Sequence, residues 1–344
     1  MTSRNASPLS RINFAITIGI AAAILLGFNL FVARAARNSV PRQLVRQMDA
    51  THGITHLALG NSLIAAGFDA PAFDASMAPA PAVAFNAGLG SSAPVEHLML
   101  LRRGLHDEPT AKFVVYGFFD FQLTDAPVAT FTDLFGNRAV AFYLDRDLGR
   151  RDYQMRLRDK LEYDVFRHVP MLVDRSAVWW YVEQVRRTMG EIGMPVAATN
   201  RFGRVADFAL LEARSRGEFE SKCEKLTRDN VGLSAPIVQM IEQARARGAQ
   251  AVFVEMPMHP YHQAHFYSTA AWQKYRDHLR RLIEAQHAVY LTASDWISAA
   301  DEFQDHLHLS PQGAADFSRR LATRMRDLKA LPPLDEGAAS AAGR

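Results

Sequence analysis

Apolar and polar positions change their rhythm several times along this chain. From Ile12 to Val32 no charge interrupts a stretch built mostly of Ile, Leu, Ala, Phe and Gly. As a helix rising 1.5 Å per residue, such a stretch crosses a hydrocarbon core of about 30 Å. Residues 12–33 are therefore expected to form a transmembrane anchor behind a short tail, 1–11. A signal segment with Ala33-Arg34-Ala35 as its cleavage site is the other reading. Residues 34–54 are polar and Arg-rich, carry Pro41 and read as a stalk.

Beyond this point short, wholly apolar runs alternate with longer amphipathic ones. The runs are Thr55–Gly60, Ala82–Asn86, Lys112–Gly117, Ala251–Glu255 and Ala288–Leu291. Continuous rather than alternating hydrophobicity marks strands buried on both faces of a parallel sheet. Between them lie helix signals: Pro94 at a first-turn position ahead of Val95–Leu105, the amphipathic stretch 234–247 closed by Gly248, and a last helix from about Pro311 to Leu328. The pattern predicts an α/β domain over 55–328, a flavodoxin-like, doubly wound, mainly parallel sheet of five strands. About 130 residues separate the third strand from the fourth, far more than one crossover needs. Helix-forming stretches there, Arg150–Leu161 and Ser176–Met189 with Trp179-Trp180-Tyr181, predict a helical insertion over about 121–230. The Pro-, Ala- and Gly-rich end, 329–344, is expected to be a disordered tail.

Composition narrows the function classes. The net charge is +3 and no basic block or aromatic-interleaved basic stripe accompanies it, so no nucleic-acid partner is expected. The single cysteine, Cys223, excludes an internal disulfide framework and a multi-Cys metal site. It lies in the charged stretch Glu220–Lys225, read as a solvated helix face.

In open parallel sheets, ligands gather at the carboxyl ends of the strands. That rule collects Ser62 with Asn61, the turn Gly88–Ser91, Phe119-Asp120, His259 and the run Asp305–His308 on one edge. A serine hydroxyl becomes a nucleophile when a base takes its proton, and the base needs a third group to fix its tautomer. Asp305 and His308, three apart at the start of a helix, suit those two roles towards Ser62. Backbone N–H groups of Ser62, Gly88, Gly90 and Ser91 would form the oxyanion hole; Asn61, Phe119, Asp120 and His259 would line the pocket. Taken singly, each residue has a plainer reading: Ser62 as a helix N-cap, Asp305 and Ser310 as caps, the glycines as a tight turn. Together these readings make a complete Ser/His/Asp set on one edge a coincidence.

Gly60-Asn61-Ser62 resembles the first block of the SGNH (GDSL-type) hydrolases, with Asn for the usual Asp. Asn86-Ala87-Gly88-Leu89-Gly90-Ser91 resembles the second block, whose glycine falls at or beside Ser91. Asp305-x-x-His308-Leu309-Ser310-Pro311-x-Gly313 is similar to the fifth, which carries the triad Asp and His. The third block, Gly-x-Asn-Asp, aligns with Gly117-Phe118-Phe119-Asp120, so Phe119 stands where the oxyanion Asn belongs. The resemblance implies the SGNH fold and a serine esterase or O-acyltransferase that needs no cofactor or metal. Membrane-anchored members act outside the cytoplasmic membrane on envelope or exopolysaccharide polymers, beside a multispanning acyltransferase partner. By resemblance, then, the globular part is expected to be periplasmic. The arginines after the span, Arg34, Arg37, Arg42 and Arg46, argue the reverse by positive-inside counting.

Rival readings are weaker. Gly88-Leu89-Gly90-Ser91-Ser92-Ala93 fits a dinucleotide fingerprint, but the acidic residue at the end of the next strand is missing. His259, His262 and His265 suggest a metal site, but Pro260 breaks a regular helix through them. The α/β-hydrolase elbow is excluded at Ser62, because Ile64 takes its last glycine position.

Overall fold

The computed structural model describes residues 8–105, 111–125, 130–144, 149–151, 153–175, 178, 182 and 208–329. The chain divides into two compact units, Met1–Gln43 with Thr130–Val196 and Leu44–Ala129 with Ala197–Arg344. The insertion expected over 121–230 is thus split between them.

Helix α1 (Pro8–Ala36) opens the first unit. Its segment Asn13–Ala36, 24 residues at a mean hydropathy of 2.3, is long and apolar enough to cross a membrane. From Asn13 to Phe31 every residue but Asn29 is exposed, whereas Val32, Ala35 and Ala36 are buried. Asn29 Oδ1 accepts from the Met171 N–H at 3.0 Å, tying α1 to the short helix Pro170–Val173. Phe142, in the turn of helix Val140–Tyr143, stacks on Tyr163 of the helix Leu157–Phe166 at 5.0 Å between centroids. Arg42 pairs with Asp174 at 2.6 Å and lies over the Tyr143 ring.

Two expectations change here. The stalk expected over 34–54 is the end of α1 followed by helix α2 (Val40–Ala50). Leu44 and Met48, one helical turn apart, are buried, so an amphipathic period ran beneath the arginines. The helix expected over Arg150–Leu161 is interrupted: 149–151 are helical, a bridge between Thr130 and Gln154 then holds the chain extended, and a second helix begins at Leu157. The aromatic cluster 179–181, nearly all of 176–189, and the tail beyond Lys329 lie outside the described residues.

The second unit contains the sheet. Its strands are β1 (His56–Gly60), β2 (Ala84–Gly88), β3 (Phe113–Phe118), β4 (Gln250–Glu255) and β5 (Val289–Thr292), all parallel in the order β2-β1-β3-β4-β5. This is the doubly wound order, with its switch point between β1 and β3. Leu57, Val115, Phe253 and their strand neighbours are buried on either face, as expected for a sheet covered twice. The helices, in chain order, are α3 (Ser62–Gly67), α4 (Ala70–Met77), α5 (Pro94–Gly104), α6 (Phe208–Arg228), α7 (Ala235–Ala246), α8 (Ala270–Glu284) and α9 (Pro311–Lys329). Along α6, Phe219, Cys223 and Leu226 are buried, so Cys223 faces the interior and not solvent. Burial pushes its thiol up to about 12, which leaves it inert as a nucleophile.

Glycines lie in register at the carboxyl ends of β2 and β1 and one residue before that of β3, Gly88 beside Gly60 beside Gly117. A Cβ at Gly88 would meet the Ala65 backbone and one at Gly117 the Ile64 side chain, so this row lets α3 seat directly on the sheet. The first turn of α3 is thereby fixed at the switch point, and Ser62 with it.

Candidate active site

Asn61, not Ser62, caps α3: its Oδ1 accepts from the Leu63 N–H at 2.9 Å. The capping role that competes with catalysis for Ser62 is therefore taken by its neighbour. Ser62 is the first residue of the helix, where backbone N–H groups have no intrahelical acceptor.

On the opposite side, Asp305 and His308 sit in a loop, not at a helix start; α9 begins at Pro311. A bridge between Phe303 and Leu309 closes this loop, and Gln304 N–H donates to the His308 carbonyl at 2.8 Å. Asp305 Oδ1 accepts from the N–H groups of Leu307 and His308, both at 2.8 Å. The local turn thus aims the carboxylate at the imidazole, with His308 Nδ1 to Asp305 Oδ2 at 2.8 Å. An ionised carboxylate can only accept, so Nδ1 carries the proton and Nε2 is the acceptor. Nε2 lies 2.8 Å from Ser62 Oγ. Burial raises the Asp305 carboxyl, but the hydrogen bonds from the His308 ring and the two amides outweigh it and hold the group below its ordinary value.

The turn after β2 is held from both ends. Leu89 N–H donates to Gly60 O at 2.9 Å, and Ser92 N–H to Leu89 O at 3.3 Å. Gly90 and Ser91 are its central residues, and Ser91 has φ +57°. That left-handed position is one glycine would favour, and it falls where the second-block glycine is expected. Gly88 is a correction. Its N–H is committed to Asn86 Oδ1 at 2.9 Å, so Gly88 serves packing and is no oxyanion donor. Asn86 went unassigned in the sequence; its Nδ2 donates to the carbonyls of Ile64 and Phe68 and clamps α3 to β2.

The four expected pocket residues divide. Asn61 is a cap. Asp120, at φ +44°, turns to Tyr267, whose hydroxyl donates to its Oδ1 at 2.8 Å, and His262 Nε2 stands 4.0 Å from the same oxygen. Burial pushes the Asp120 carboxyl up to about 6 and the His262 imidazole down to about 3. Phe119 is half-buried at the end of β3. The His259 ring stacks on Phe208 at 4.5 Å and meets Phe303 at 5.4 Å, while His306 presents its ring to the same Phe208 at 6.5 Å. These form an aromatic wall beside Asp305. The three-histidine metal reading dissolves: His259 caps a short helix, His262 is buried, and His265 pairs with Glu212 at 2.9 Å. Among the described residues no group of three His, Cys, Asp or Glu is placed to hold a metal.

A Ser–His–Asp relay of this geometry can in general transfer an acyl group: the serine Oγ can attack a carbonyl as its proton passes to the imidazole, and nearby backbone N–H groups can meet the charge that develops on oxygen.

No protein-family model matches the chain, and no curated protein sequence matches it. Among similar solved structures are a "putative arylesterase" from Agrobacterium tumefaciens and a GDSL-like lipase from Bacteroides thetaiotaomicron. The first is 13% identical, with 80% of this chain and 99% of that one covered at a TM-score of 0.36. The second is 11% identical, with 85% and 98% covered at 0.37. Identity and TM-score are both too low for either likeness to bear on activity; the geometry of the site carries the functional reading.

Proposed function

We propose that this chain is a divergent SGNH-type serine esterase or O-acyltransferase that works through an acyl-Ser62 intermediate. One observation carries the reading: the continuous relay from Asp305 through His308 to Ser62, with both links at 2.8 Å. His308 takes the Ser62 proton and returns it to the leaving alkoxide. It then deprotonates the acceptor, water or a sugar hydroxyl, that releases the acyl group.

The natural substrate class is an ester-linked, O-acetyl-type group on a cell-envelope or exopolysaccharide polymer, with a multispanning membrane acyltransferase as partner. Helix α1 supports a membrane setting. Its exposed stretch, nineteen residues from Asn13 to Phe31, is about 28 Å long, close to the hydrocarbon thickness of roughly 30 Å. Protein covers the helix from Val32 onward. In this reading α1 is a single-pass anchor in the cytoplasmic membrane, with Ser62 on the periplasmic side.

A fluorescent fluorophosphonate added to the full chain in detergent tests the chemistry. Labelling that disappears in Ser62→Ala supports it. A folded wild-type chain that takes no label favours a second reading, an inactive SGNH-fold scaffold of an envelope assembly complex. Phe119 in place of the third-block Asn speaks for that alternative.

A further inference from the structure

The first turn of α6 lies against the segment that follows β4 and the loop that carries the triad Asp and His. Phe208, its first residue, stacks on the His259 ring at 4.5 Å and lies 4.8 Å from the Tyr261 ring. His306, two residues before His308, stands edge-on to Phe208 at 6.5 Å and 87°. One turn further along α6, Glu212 accepts from the Tyr261 hydroxyl at 2.7 Å and pairs with His265 at 2.9 Å. Tyr261 and His265 stack on each other at 4.0 Å, so the start of α6 is pinned where it meets His259. Phe208, His259 and His306 are all partly exposed.

This aromatic wall also carries polar atoms. His259 Nδ1 accepts from the Tyr261 N–H at 3.1 Å, so in the neutral ring the proton sits on Nε2. Nε2 is then a donor of fixed identity, with no hydrogen-bond partner among the described residues. Burial and the neighbouring His306 hold the His259 imidazole below its ordinary pKa, which keeps it neutral. His306 Nδ1 is buried, again without a hydrogen-bond partner among the described residues. A buried polar atom left unpaired costs about 1–3 kcal/mol, so these nitrogens favour a ligand that can reach them.

Aromatic faces with a few placed polar atoms are the make-up of a small-molecule site. An alkyl chain or a plain aryl ring would use the faces and leave the nitrogens unpaired. A pyranose has an apolar C–H face to lay on an aromatic ring and hydroxyls at its edge to meet the nitrogens. The wall adjoins the loop of His308, the residue that exchanges a proton with the alcohol oxygen of an ester, whether that oxygen leaves or enters. Resting on the acyl-Ser62 reading, we propose that Phe208, His259 and His306 form the subsite for the alcohol half of the ester, and that this half is a pyranose. Phe208 is its specificity-determining residue, supplying the face on which the sugar lies, while His259 Nε2 donates to one of its hydroxyls.

The test is hydrolysis of methyl 6-O-acetyl-α-D-glucopyranoside, phenyl acetate and ethyl acetate by the full chain in detergent, normalised to the sites titrated by a fluorescent fluorophosphonate. In the wild type, kcat/KM for the sugar ester is expected to exceed that for ethyl acetate by about tenfold or more, the scale of one aromatic contact. Phe208→Ala lowers this ratio about tenfold, and Phe208→Tyr, which keeps the ring, restores most of it. His259→Ser keeps a cap for the Tyr261 N–H and removes the ring donor, so the sugar ester loses ground against phenyl acetate. A wild-type ratio near one, or a ratio that Phe208→Ala leaves unmoved in a folded chain, overturns the inference while the esterase reading stands. Equal losses for phenyl acetate and the sugar ester in both variants mark an aryl subsite and overturn the pyranose. Should Phe208→Ala fail to fold, Phe208→Leu reads the same ratio, with the same outcomes. A folded wild-type chain that takes no label and turns over none of the three esters overturns the esterase reading and this inference with it.

Discussion

The turns after β1 and β3 leave strands that are neighbours in register, Gly60 beside Gly117, yet they lead to carboxylates treated in opposite ways. Facing the β1 turn, Asp305 accepts from two backbone amides and an imidazole, and its carboxyl is held below the ordinary value. After β3, the Asp120 carboxyl accepts from the Tyr267 hydroxyl, which itself accepts from the Asp120 N–H, with Phe119 and Phe121 flanking it in the chain, and the carboxyl is pushed up to about 6. His308 is hydrogen-bonded to both its partners, whereas the ring nitrogens of His262 have no hydrogen-bond partner among the described residues. Neighbouring carboxylates pushed apart in pKa by their surroundings take different roles. Asp305 stays ionised to hold a proton on His308 Nδ1, whereas Asp120 is held by Tyr267. The difference separates the carboxylate suited to the proposed chemistry from one that serves the packing around it.

The largest way to break this contrast is at the triad. Ser62→Ala and His308→Ala are each expected to lower kcat by about 10⁴-fold or more, and Asp305→Ala by less, since losing the orienting group leaves nucleophile and base in place. Ester hydrolysis by purified protein measures this, and near wild-type turnover in Ser62→Ala removes the mechanism. A smaller effect is expected at the other corner. Phe119→Asn restores the amide of the third block at the end of β3 and should raise kcat by up to about tenfold. That is less than the 10²–10³ of an evolved donor, because no neighbouring group orients the new side chain. Unchanged turnover would mean that no side-chain amide is needed at this position.

The same contrast explains what could be read from the sequence. The strands were legible because a doubly covered parallel sheet demands continuous apolar runs, and five of them put their ends on one edge. Asp305 and His308 were legible because a local loop carries both, so their relation is written in a short spacing. Nothing local marks Phe208. It opens an apolar run that reads as core, and its stacking on His259 joins α6 to the segment after β4, a relation that exists only after the sheet has formed. Gly88 was misread for a related reason: a glycine that lets Ala65 approach looks, in sequence, like one that donates an amide. Helix α2 was hidden by its arginines, which drew attention from the Leu44–Met48 spacing.

The finest test concerns Asp120 alone. Its carboxyl is pushed up to about 6 in the folded chain from an ordinary value of 3.8, with burial the main cause, Tyr267 opposing it and Glu255 adding to it. Between about pH 4 and pH 6 the folded state therefore binds more protons than the unfolded one, and stability falls as pH rises through that window. Above it the full penalty is in force. Asp120→Asn removes the titration while keeping an oxygen for the Tyr267 hydroxyl, and Asn tolerates the left-handed backbone at φ +44° as well as Asp does. The variant should come close to the wild type at pH 4 and exceed it at pH 8 by about 3 kcal/mol, some 4 °C in melting temperature for a chain of this size. Thermal melts of the full chain in detergent at the two pH values decide it. A difference that does not change with pH would mean that Asp120 titrates like any exposed carboxylate, and the contrast with Asp305 would then rest on geometry alone.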